Sequence, residues 1–174
     1  MGSKLIFSLM KNNRSSPAAG RASSPPGPAP DGRILVVDDE STIRLLIAHI
    51  LAHAGYQVGT AEDGEIAWEA LRAKNYDLLI TDHNMPKVSG VELIKKLRLE
   101  DNALPVILIS GAIPTEELNR HSWLQLSATL LKPFTGDQLL RIVKRVLRET
   151  QSAREQIEPL PNYRGEPSFH GLLA

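Results

Sequence analysis

Four stretches of this chain, RILVVDD, YDLLITD, PVILIS and ATLLKPF, are apolar runs without the every-other-residue polar position of a half-exposed strand. A strand that is apolar on both sides must be covered on both sides, which a parallel sheet with helices on each face provides. Each run also stops on a polar group: Asp38-Asp39, Asp82, Ser110 and Lys132. The lysine is the oddest of these, because an ammonium at the end of an apolar run needs water or an anion, and Pro133 fixes the chain just after it.

The segments between the runs have helical spacing. Ser41 is positioned to cap a helix with Ile43, Leu46, Ile47, Ile50 and Leu51 inward, closed by Gly55. Residues 56–61 form a short strand. Glu65–Lys74 is a helix with Ile66, Ala67, Ala70 and Leu71 inward, and Val91–Arg98 a third helix after a turn holding Pro86 and Gly90. Thr115–Leu124 is a fourth and Asp137–Arg148 a fifth. Five β-α units in succession predict an α/β fold, a five-stranded parallel sheet of order 2-1-3-4-5 with helices on both faces. The expected organisation is a basic Pro/Ser-rich disordered arm at 1–30, one folded domain at 31–150, and a tail at 151–174.

Composition narrows the classes. The 174 residues carry 20 basic and 20 acidic side chains, so no overall basic field argues for nucleic acid, and no direct DNA binding is expected. Residues 1–30 hold Lys4, Lys11, Arg14 and Arg21 and no acid, which leaves a net −4 on the rest. The arm has too little apolar surface to offset its ordering entropy. Leu5–Met10 is short for a signal-peptide core, and Ile6 stands where a myristoylation motif has Ser or Thr. No run is long enough to span a bilayer, so no membrane insertion is expected. The absence of cysteine fits a reducing cytoplasm.

In an open α/β sheet, ligands bind beyond the carboxyl ends of the strands. With order 2-1-3-4-5, the second strand, which ends in Thr60-Ala61-Glu62, lies at the edge, and the four loaded ends are neighbours. Each polar group alone has a plain structural role: helix-start acids, a capping aspartate, a common Ser-Gly strand end, a lysine reaching water along its stem. Together they have a chemistry. Crowded carboxylates need a cation, and oxygen-only ligands suit Mg²⁺. A lysine and a hydroxyl opposite suit phosphate oxygens, and a carboxylate that attacks phosphorus becomes an aspartyl phosphate.

The motifs VVDDE, ITDHNMP, SGVEL, ISGA and LLKPF resemble the receiver domain of two-component response regulators, in order and spacing, from about Arg33 to Arg148. The resemblance is to a stand-alone, chemotaxis-type receiver with a flavodoxin-like fold. It implies that Asp82 is the phosphoacceptor, and that Asp39 binds Mg²⁺ directly with Asp38 as a second acidic ligand. The backbone carbonyl of Asn84 completes that metal site. By the same resemblance Ser110 bonds a phosphoryl oxygen and shifts on activation, and Lys132 pairs with the phosphoryl group across a cis bond to Pro133. It implies a sensor histidine kinase or a histidine phosphotransfer protein as donor, docking on the first helix near exposed Arg44 and His49. The output is then a downstream protein contact or onward relay from a cytoplasmic monomer or weak homodimer. The only reactions expected are its own phosphoryl transfer and slow hydrolysis of the aspartyl phosphate.

Two departures from the family matter. Thr129 stands where receivers often carry a rotating aromatic residue, and Gln125-Leu126 replaces the usual Gly-Ala. The switch region is therefore read as Ser110, Thr129 and Trp123, with Trp123 expected in the core and His121 exposed. A small Ala112 leaves room for an attacking water, so a long-lived phosphorylated state is not expected. The rival readings are a receiver-like scaffold that no longer switches, motivated by Thr129, and an aspartate-nucleophile phosphatase. The second requires Asp-x-Asp after the first strand, where this chain has adjacent acids.

Overall fold

The computed structural model describes residues 32–157; the arm at 1–30 and the segment beyond 157 lie outside the described residues. Along the chain come β1 (Arg33–Val37), α1 (Ser41–His53), β2 (Gln57–Ala61), α2 (Gly64–Ala73), β3 (Leu78–Asp82) and α3 (Gly90–Leu99). They are followed by β4 (Val106–Ser110), α4 (Thr115–Arg120), a 3-10 turn at Ser122–Leu124, β5 (Ala128–Leu131) and α5 (Gly136–Ile157). All five strands pair in parallel, in the order β2-β1-β3-β4-β5. The register sets Val37 beside Thr81, Asp82 beside Ile109, and Ser110 beside Leu131, so the strands end along one rim.

Side chains alternate between the two faces of a strand. Leu35, Val37, Leu79, Val106 and Leu108 pack against Ala67 of α2, Val91, Ile94 and Leu97 of α3, and Leu124. Ile34, Val36, Leu78, Ile80, Ile107 and Ile109 pack against Ile47 and Leu51 of α1 and Leu139, Val143 and Val146 of α5. The central strands are thus buried from both sides, which is why their sequences read as unbroken apolar runs. Each fully buried Leu or Ile contributes about 1.5–3 kcal/mol of transfer free energy.

Several helix details depart from the expectations. Glu40, not Ser41, is the N-cap of α1, and it offers no side-chain hydrogen bond. Leu46 is 54% exposed beside Leu45, and Ile66 is 40% exposed, so neither faces the core. These helices carry more apolar residues than one face can bury, and spacing alone leaves the phase open. Gly55 does follow the end of α1, at φ 97, where a left-handed residue is needed. The fourth helix stops at Arg120 instead of running to Leu124. His121 breaks it, the 3-10 turn follows, and Gln125 takes a left-handed φ of 47. In the other direction, α5 runs nine residues past Arg148 to Ile157 and takes in the start of the expected tail.

Candidate functional site

The β1–α1 turn brings Asp38 under the rim, where it is almost fully buried, whereas Asp39 is exposed. Asp38 Oδ1 accepts the Glu40 N–H at 2.9 Å. The backbone carbonyl of Asp38 accepts a hydrogen bond from Arg44 Nη1 at 2.6 Å. Arg44 is therefore half-buried and engaged with this turn, which corrects its expected exposure; His49 is exposed as expected.

At the end of β3, Asp82 is buried, and its Oδ2 accepts the Asn84 N–H at 2.6 Å. The Thr81 hydroxyl donates to the Asp82 carbonyl at 3.0 Å. Gly90 opens α3 against that same carbonyl: a Cβ there would lie 2.1 Å from it, so no side chain fits. In the sequence, Gly90 was legible as a turn residue and as part of SGVEL, and Thr81 as part of ITDHNMP, but neither packing role was. A glycine at a helix start after a strand-end acid was the available signal for close backbone approach.

Lys132, from the end of β5, crosses to both acids. Its Nζ lies 2.5 Å from Asp82 Oδ1 and 2.9 Å from Asp38 Oδ2. The peptide bond between Lys132 and Pro133 is cis, as the resemblance implied. Burial pulls the Lys132 ammonium down, but its hydrogen bonds to Asp82 and Asp38 and their charges outweigh this and hold it above the ordinary lysine value.

Ser110 is buried at the end of β4, but its hydroxyl donates to the Ala112 carbonyl at 2.5 Å and accepts the Ala112 N–H at 3.3 Å. Its backbone carbonyl accepts the Lys132 N–H at 2.9 Å, while its hydroxyl stays on Ala112. Among the described residues, no three acidic or imidazole side chains converge to hold a metal ion. The expected crowding of three carboxylates is thus corrected: Asp39 stands out in solvent, and Lys132 occupies the space between the other two. Formally, three acids and one ammonium still leave the rim at −2, and every donor there is oxygen. That chemistry fits a hard divalent cation.

The expected switch residues sit apart from this cluster. Trp123 is 44% exposed, not packed in the core, and half-buried His121 meets it edge-to-face at 6.0 Å. The core position in this turn belongs to Leu124. Thr129 lines a groove of about 410 Å³ with Leu118, His121, Leu124, Leu126 and Ala128.

The fold and site together define a parallel, doubly wound α/β protein with an acid–lysine cluster at its strand ends. The family model for the response regulator receiver domain matches residues 34–144. The chemotaxis protein CheY of Pseudomonas aeruginosa is 30% identical over 117 residues, 66% of this chain and 94% of that protein. The transcriptional regulatory protein PhoP of Bacillus subtilis, for alkaline phosphatase synthesis, is 34% identical over 128 residues. That is 72% of this chain but only 52% of PhoP, so the chain spans about half the length of such longer relatives. Among solved structures, the response regulator TrrA of Thermotoga maritima, in complex with Mg²⁺ and BeF, is 37% identical with a TM-score of 0.59. The match covers 66% of this chain and 97% of that one. The chain belongs to the response regulator receiver domain family.

Proposed function

We propose that this chain accepts a phosphoryl group on Asp82 from a histidine kinase or histidine phosphotransfer protein, in the cytoplasm, and signals by protein contact or onward relay. The observation that carries the reading is Lys132 Nζ held between Asp82 and Asp38, an ammonium stationed where phosphoryl charge would arrive. In this reaction an Asp82 oxygen attacks phosphorus in line, the phosphorus–nitrogen bond of phosphohistidine breaks, and the imidazole leaves with the electron pair. Lys132 then exchanges carboxylate partners for phosphoryl oxygens. Asp38, Asp39, Asp82 and the Asn84 carbonyl would hold Mg²⁺, which when bound offsets charge on the phosphoryl oxygens. Ser110 must leave Ala112 to reach the phosphoryl group, and that exchange is the switch this reading requires. Ala112 is small and exposed, so water reaches the acyl phosphate and its half-life falls well short of many hours.

The test is intact mass after incubation with acetyl phosphate and Mg²⁺. Wild type is expected to gain one phosphoryl group and Asp82→Asn none. No adduct on folded wild type overturns the reading. It would favour the non-switching scaffold, for which the closed Ser110–Ala112 pair is the supporting observation.

A further inference from the structure

The loop from His83 to Ser89 joins Asp82 to α3 and carries Asn84. Its inner end is fixed by the Asn84 N–H on Asp82 and the Gly90 N–H on the His83 carbonyl at 3.1 Å. Its outer corner is fixed from a different element. Lys87 has φ 64, a left-handed conformation that side chains other than glycine, asparagine and aspartate seldom take. From there its Nζ lies 2.5 Å from Asp63 Oδ2. Asp63 is buried and is the N-cap of α2: its Oδ1 accepts the N–H groups of Glu65 and Ile66. The next residue, Gly64, lies flat against the loop, since a Cβ on it would be 2.7 Å from both Val88 Cβ and the Val88 carbonyl oxygen.

Most surface ion pairs contribute little, because both long side chains must be ordered and water screens them. Here one partner is already fixed by two backbone donors, so only the lysine has to be ordered. The Ile66 N–H first, and then Lys87, hold the Asp63 carboxyl below the ordinary aspartate value, and the hydrogen bond to Asp63 holds the Lys87 ammonium above its own.

We propose that Lys87 is a positioning residue, a clasp between the cap of α2 and the loop after Asp82 that sets where Asn84 stands. This rests on the proposed phosphoacceptor reading, in which the Asn84 carbonyl serves the metal site. Two measurements test it on the full chain: hydrogen exchange at the Asn84 amide, with no metal added, and the Mg²⁺ dependence of labelling by acetyl phosphate. Lys87→Met and Lys87→Gly are expected to speed Asn84 exchange and to raise the Mg²⁺ needed for half-maximal labelling by about two- to fivefold. Lys87→Arg should behave as wild type. Asp63→Asn keeps the cap acceptor but loses the charge, so it should match Lys87→Met, and the double variant should be no worse than either alone. Lys87→Gly also relieves the backbone strain, so its thermal midpoint should not fall. Wild-type Asn84 exchange in both Lys87→Met and Lys87→Gly overturns the clasp. If exchange responds but wild type takes no phosphoryl group, the clasp stands and the phosphoacceptor reading falls.

Discussion

The rim over β1 and β3 and the segment between β4 and β5 belong to one sheet, but they are built differently. At the first, every carboxylate oxygen of Asp38 and Asp82 has a donor, Arg44 ties the turn, and Gly90 lets a helix start on the Asp82 carbonyl. At the second, the helix lasts six residues and breaks at His121, a groove opens beside Thr129, and Ile113, Trp123 and Leu131 are exposed. On the proposed phosphoacceptor reading, the closed side would hold the reacting atoms and the open side would carry the response. A receiver needs both: fixed chemistry at one strand end and a face whose packing a small change can bias.

The largest test of this contrast uses two glycines. Gly90→Ala drives a methyl into the Asp82 carbonyl and should cost more than about 4 kcal/mol, seen as loss of folded protein by circular dichroism. Gly111→Ala, on the open side with nothing within 4 Å of its Cβ, should stay within about 0.5 kcal/mol. Next in size, Leu124→Ala should cost about 2–4 kcal/mol in urea unfolding, because Leu124 is the buried residue of the 3-10 turn. Its neighbour Trp123→Ala should cost less than about 1 kcal/mol; equal losses would mean the turn is packed on both sides.

Lys132→Met should destabilise by roughly 2–3 kcal/mol at neutral pH, since it leaves two buried acids facing one another. Asp38→Asn in that background should recover part of the loss. The smallest effect is the pH dependence. The folded Lys132 is raised above its ordinary 10.5, so its contribution is complete below that value and fades as pH rises through the higher folded one. The stability gap between wild type and Lys132→Met should therefore hold from pH 7 to about 10 and narrow only above.

What could be read in the sequence divides along the same line. The unbroken apolar runs gave the strands, and the acids and lysine at their ends gave the Asp38–Lys132–Asp82 cluster, because both follow from burial and charge. The phase of α1 and α2 did not come through at Leu46 and Ile66, since spacing does not say which of several apolar stripes is covered. The break at His121 has no glycine or proline to announce it, and the left-handed Gln125 and Lys87 are residues that seldom mark such turns. The extra length of α5 was hidden because QSAREQ is exposed throughout and has no apolar periodicity to mark a helix. Asp63 and Lys87 were missed because a pairing across 24 positions leaves no local pattern.

The pairing of Lys132 with Asp38 spans 94 positions, from the last strand to the first. A chain still emerging during synthesis, or one cut before β5, would hold its two central acids with no ammonium between them. On the proposed phosphoacceptor reading, the site is therefore assembled only once the first and last β-α units are both in place.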